Sequence, residues 1–149
     1  MGRKGFSAIE LVIVIMLIGI IASIGFPRLR SGLEKQRIRN TKALLATMVA
    51  TARGTAIQRG CVATLNFATD SVWVTACGLT GNPPPANVLV GTAKQVKADV
   101  NVTLSASQAT ITYDPRGMRM LFQPTTIRVI GPHYQDSVVI NELGRVKRQ

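Results

Sequence analysis

From Phe6 to Phe26 the chain runs 21 residues with one charged side chain, Glu10. At 1.5 Å per helical residue this matches the roughly 20 residues that cross the hydrocarbon core of a bilayer. The segment reads as a single membrane-spanning helix. Glu10 is its anomaly, because an ionised carboxylate in hydrocarbon is costly and calls for a partner or a function. No basic residue within the run supplies one.

A secretory signal peptide would have an apolar region of about 7 to 15 residues followed by a small-residue cleavage site. Here the run is longer and Ala22-Ser23-Ile24 is a poor site. A plain signal anchor would leave Glu10 unexplained. Of the 149 residues, about 120 follow the span, enough for one compact domain. The net charge of +11 falls to +9 without Arg3 and Lys4, 16 basic side chains then facing 7 acidic ones. Such an excess favours phosphate-rich partners: nucleic acid, anionic lipid or an acidic protein surface. Two cysteines, Cys61 and Cys77, suit one disulfide in an oxidising, extracytoplasmic compartment, or two reduced buried thiols.

After Pro27 the helical pattern continues to about Arg59, with a possible kink at Gly25 and Pro27. At 100° per residue, Leu44, Leu45, Met48, Ala52 and Ala56 fall within about 120°, the mark of a helix laid on a core. Arg28, Lys35, Arg39, Lys42 and Arg53 cluster within about 60° on the other side, a basic face open to solvent, lipid headgroups, DNA or other subunits. From Cys61 onward the pattern changes to short β-branched runs. Cys61 to Phe67 and Ser71 to Thr75 predict a hairpin across Ala68-Thr69-Asp70. Gly78 to Ala86, with Pro83-Pro84-Pro85, reads as an exposed loop. Val88 to Val90, Val100 to Leu104 and Thr110 to Tyr113 read as strands. Asp114-Pro115-Arg116-Gly117 is a turn leading into a strand from Met118 to Phe122. Thr126 to Ile130 and Ser137 to Ile140 follow, then a turn at Asn141-Glu142-Leu143-Gly144. The expected fold is α+β, one long N-terminal helix on an antiparallel sheet.

The basic leader Met1-Gly2-Arg3-Lys4-Gly5, the junction with Phe6, Glu10 and Pro27 together resemble a type IV prepilin. That resemblance implies cleavage between Gly5 and Phe6 by a prepilin peptidase and N-methylation of Phe6. Glu10 becomes the fifth mature residue, whose carboxylate neutralises the N-terminus of a neighbouring subunit during assembly. A subunit capping the filament tip can lack this carboxylate, so its retention implies insertion beneath other subunits. The implied organisation is a leader at 1–5, an assembly helix at 6–27, an amphipathic helix at 28–59 and a β-rich pilin domain at 60–149. The helix segment from Ala52 to Gly60, the Ile111-to-Gly117 hairpin and the final Gly144-Arg145-Val146 resemble the GspH/FimT group of minor pilins and pseudopilins. Implied partners are other pilins or pseudopilins, the peptidase, and the inner membrane before assembly, with the globular domain outside the cytoplasm. The charges oppose this orientation: six basic residues from Arg28 to Lys42 outnumber the two of the leader, and the positive-inside rule would retain that side. Leader processing, which explains Glu10, takes precedence.

Gly144-Arg145-Val146-Lys147-Arg148 carries three basic residues in four. In an extended segment Arg145 and Lys147 share a face about 7 Å apart, spaced for successive phosphates, while Val146 packs inward. Gly144 supplies a left-handed turn. The motif resembles the C-terminal Gly-Arg-x-Lys of FimT-like minor pilins of natural transformation, which implies binding of duplex DNA through Gly144, Arg145, Lys147 and Arg148. Arg116 and Arg119, with Arg128, are candidates to extend the surface. A solvated basic terminus is the plain alternative. Binding of this kind is electrostatic and sequence-independent. His133, Asp136 and Ser137 lack a nucleophile elbow, and no metal-ligand or phosphate-loop spacing occurs, so neither enzyme activity nor a cofactor is expected. The alternative function is that of a minor pseudopilin in type II secretion, without nucleic-acid binding.

Overall fold

The computed structural model describes residues 7–81, 85 and 87–148. Gly5 and Phe6, and Pro83, Pro84 and Ala86 of the proline loop, lie outside the described residues. Helix α1 spans Ala8–Arg59, 52 residues or about 78 Å. Gly25 and Pro27 lie inside it without interrupting it, since a proline removes one rung of the hydrogen-bond ladder and leaves its neighbours. Gly60 closes the helix at φ 63°, in the left-handed conformation that glycine adopts without strain.

The two halves of α1 differ in what covers them. Ile9 to Phe26 is exposed almost throughout, whereas Ile38, Leu45, Met48, Val49, Ala52 and Ala56 are buried. The buried set includes the apolar stripe expected from the sequence, except that Leu44 is only partly covered.

The β-rich part forms two four-stranded antiparallel sheets rather than one. The first contains β1 (Ala63–Phe67), β2 (Ser71–Ala76), β3 (Val88–Gln95) and β5 (Thr110–Tyr113), in the order β3-β2-β1-β5. The second contains β4 (Thr103–Ala106), β6 (Thr125–Ile130), β7 (Gln135–Ile140) and β8 (Val146–Arg148), in the order β4-β6-β7-β8. Alternate residues face the helix, as in β1, where Ala63, Leu65 and Phe67 are buried. The Cys61–Cys77 disulfide, with Cα atoms 6.3 Å apart, fastens the end of α1 to the end of β2. Beside it Arg59 Nη1 donates to the Cys77 carbonyl at 2.6 Å.

Two strand expectations need correction. Val100 ends a short helix, α2 (Val96–Val100), which sinks Val96 into the core and stops at Asn101, φ 54°. Met118 to Phe122 does not form a strand. It makes one bridge, Tyr113 to Arg119, before the Gln123 amide turns back onto the Leu121 carbonyl at 2.8 Å and Pro124 ends any ladder.

Candidate nucleic-acid interface

The β7–β8 turn is held from within. Asn141 and Arg145 pair through the Asn141 amide and Arg145 carbonyl at 2.9 Å, and the Gly144 amide donates to the Asn141 carbonyl at 2.9 Å. The Asn141 side chain also accepts from the Arg145 amide at 2.7 Å. Gly144 has φ 73°, and a Cβ there would sit 2.7 Å from Cε1 of Tyr113. Both the backbone angle and the ring demand glycine.

Beyond the turn, Lys147 pairs with Val139 and Val146 with Ile140. Arg145 and Lys147 are exposed, while Val146 packs on the core. Arg148 stands opposite Val138, one step out of phase with Lys147. Arg128 is exposed and faces Ser137 across β6 and β7, while Val139 faces Thr126. Counting along the register puts Arg128 two strands and two residues from Lys147, on the same outer face and about 12 Å away.

Arg116 tops the Asp114–Gly117 turn, where Asp114 Oδ1 accepts from the amides of Arg116 at 3.0 Å and Met118 at 2.7 Å. Tyr113 touches Gly144, so this turn and the β7–β8 turn are neighbours. Arg53, half-buried, leans over it: its Cγ is 3.1 Å from a Cβ placed on Gly117.

Arg119 does not belong to this surface. It is 2 % exposed, and Nη2 donates to Gln108 Oε1 at 2.6 Å and to the Thr125 hydroxyl, while Nη1 reaches the Asn141 carbonyl at 3.4 Å. Burial pulls its pKa below the ordinary arginine range and pushes that of neighbouring Tyr113 up. Lys42 is likewise withdrawn from the basic helix face. It is 7 % exposed and bonded to Asp136 at 2.6 Å. The spacing Ile38, Lys42, Leu45, Val49 shows why: Lys42 lies in the buried stripe.

Residues 43–144 match the family described as Type II transport protein GspH. The chain belongs to the GspH family. Solved structures of two proteins share the fold of this GspH-family chain. The type IV minor pilin FimU of Pseudomonas aeruginosa strain PAO1 aligns with a TM-score of 0.60 at 11% identity, over 78% of this chain and 90% of that one. The minor pseudopilin EpsH of the Vibrio cholerae type 2 secretion system aligns with a TM-score of 0.54 at 13% identity, over 76% of this chain and 96% of that one. Compared with curated protein sequences, the chain matches none. The long helix followed by antiparallel sheets is the pilin fold.

The end of this GspH-family domain nearest the apolar half of α1 is fastened by a carboxylate that sequence reasoning passed over. Glu34 Oε1 accepts from the amides of His133 at 2.6 Å and Tyr134 at 2.9 Å. The His133 amide is the largest influence on the Glu34 carboxyl and, together with the Tyr134 amide and the charges of His133 and Arg37, holds it below its usual range, outweighing the desolvation that opposes them. Lys35 Nζ lies 5.6 Å from the centre of the Tyr134 ring. Glu10 is exposed in the first turn of α1.

Proposed function

We propose that this protein is a minor pilin that binds duplex DNA without sequence preference for uptake. Its apolar helix anchors it in the inner membrane before assembly into a pilus. Peptidase cleavage between Gly5 and Phe6 and N-methylation of Phe6 mature it, and Glu10 engages the N-terminus of a neighbouring subunit. The observation that carries the DNA reading is the shared outer face of Arg145, Lys147 and Arg128, backed by a turn that Tyr113 and Gly144 predispose. Arg145 and Lys147 are spaced for successive phosphates, and Arg128 adds a third cation to the same face.

Titration of the full chain in detergent with duplex DNA at two salt concentrations tests this. Binding is expected to weaken steeply with salt, and Arg145→Gln with Lys147→Gln to reduce the log–log slope by about 2. Binding absent at low salt, or indifferent to that double change, rejects DNA capture. Mass spectrometry of the membrane-extracted protein reads the cleavage and the methyl group. A reporter fused after residue 149 reads the orientation: activity confined to the cytoplasm rejects it.

The second reading is a structural minor pseudopilin of a type II secretion system, favoured by the family match and the EpsH-like fold. A chain that restores secretion with Arg145 and Lys147 both replaced, and binds no DNA, supports it.

A further inference from the structure

We propose that the groove between α1 and the base of the β-rich domain holds the headgroup of an anionic phospholipid. The inference rests on the membrane-anchor reading of the apolar helix. The groove encloses about 590 Å³, within the range of small-ligand sites. Its helical wall carries Phe26, Arg30, Leu33 and Arg37, spaced along one side of α1, and Val102 faces them from the domain.

Depth along the helix is the first support. Phe26 ends the apolar run, Arg30 stands about 6 Å and Arg37 about 16 Å farther along the axis. Lipid headgroups occupy a layer about 5 to 8 Å thick beyond the hydrocarbon. Helical side chains lean toward the N-terminus, which here means toward the membrane, so Arg30 places its guanidinium in that layer and Arg37 directs its own toward the outer edge of it.

Charge is the second support. Neither Arg30 nor Arg37 forms an ion pair among the described residues. The one carboxylate in the groove, Glu34, accepts the two amides of the 133–134 loop and feels the Arg37 charge without an ion-pair contact. The third support is the apolar wall: Phe26 and Leu33 are 62% and 52% exposed. Free phosphate or DNA would satisfy the arginines and leave that wall in water, whereas a phospholipid satisfies both through its phosphate and its acyl chains.

The test uses the full chain floated with phosphatidylcholine vesicles, with or without phosphatidylglycerol, and native mass spectrometry of the lipids retained after detergent extraction. Phosphatidylglycerol is expected to be retained in preference to phosphatidylcholine. Arg30→Gln and Arg37→Gln should lower that preference about fivefold each, roughly 25-fold together, and Phe26→Ala should lower it further. Lys94→Gln, exposed on β3, should leave it unchanged. Both arginines are exposed, and circular dichroism checks that the variants fold. Equal retention of the two lipids, a preference unaffected by the arginine changes, or displacement of the lipid by inorganic phosphate or short duplex DNA would each overturn the groove site. Flotation with neutral vesicles alone reads the anchor: its failure sinks the anchor and the groove together, whereas flotation without an anionic preference sinks only the groove.

Discussion

Tyr113 occupies the space that a side chain on residue 144 would need, its Cε1 lying 2.7 Å from the position of a Cβ on Gly144. Gly60 shares the left-handed backbone, at φ 63°, but nothing lies within 4 Å of its Cβ position. The pair therefore separates a conformational cost from a packing cost. Gly60→Ala is expected to cost about 1 kcal/mol, for the backbone alone. Gly144→Ala should cost about 2 to 4 kcal/mol, because the ring must also move. Denaturant unfolding of the two variants measures the difference. Equal losses would mean that the Tyr113 ring yields freely.

Arg116 and Arg119 sit three residues apart and should respond in opposite ways. Arg119→Ala leaves a cavity and strips a bonded cation from Gln108 and Thr125, an expected loss of about 3 kcal/mol. Below the unfolding temperature its DNA salt dependence should stay as in the parent chain. Arg116→Gln should leave stability within about 0.5 kcal/mol and lower the salt slope by about 1. Calorimetry and salt titration on the same samples read both.

Acid should weaken the domain through Asp136 and Glu34. Partial burial raises the Asp136 pKa, but the Lys42 ammonium and the Ser137 amide outweigh this and hold it low. A carboxyl depressed on folding contributes stability above its unfolded value near 4, lost as the pH falls through the folded value. The thermal midpoint should therefore drop between about pH 4.5 and pH 2.5. Asp136→Asn should flatten part of that limb and cost about 1 kcal/mol at pH 7, since it removes the negative charge from the 2.6 Å contact with Lys42. An unchanged acid limb in this variant would remove the ion pair from the account.

Reduction of Cys61–Cys77 frees a loop closed over a sequence separation of 16, for an expected loss of about 3 kcal/mol on the chain-entropy model. Cys61→Ser with Cys77→Ser should match the reduced parent. A thermal midpoint insensitive to reductant would contradict this.

Much of the fold was written locally. The period-2 runs predicted β1, β2, β5, β6 and β7, and the Asp-Pro-Arg-Gly and Asn-Glu-Leu-Gly turns fell where expected. Arg145 and Lys147 were legible because strand alternation alone sets their face. What escaped depended on partners remote in sequence. Asp136, which draws Lys42 inward, lies 94 residues away, and the amides that occupy Glu34 lie 99 and 100 residues away. Arg119 looks like any surface arginine between two exposed methionines until Gln108 and Thr125 are brought beneath it. The division into two sheets was hidden for the same reason: α2, the β4–β5 connection and the 118–124 segment each carry the chain from one sheet to the other.

The disulfide at the end of α1 also sets how the domain bears mechanical load. With the helix held in a filament and a pull applied to the domain, tension leaves α1 through Gly60 and enters β1. The covalent Cys61–Cys77 bond rivets that junction to β2, so the first sheet cannot be peeled from the helix there. The second sheet has only noncovalent links to α1, Lys42–Asp136 among them, and its outermost strand, β8, is three residues long. A pull applied at Lys147 is therefore expected to open the second sheet first, starting at β8.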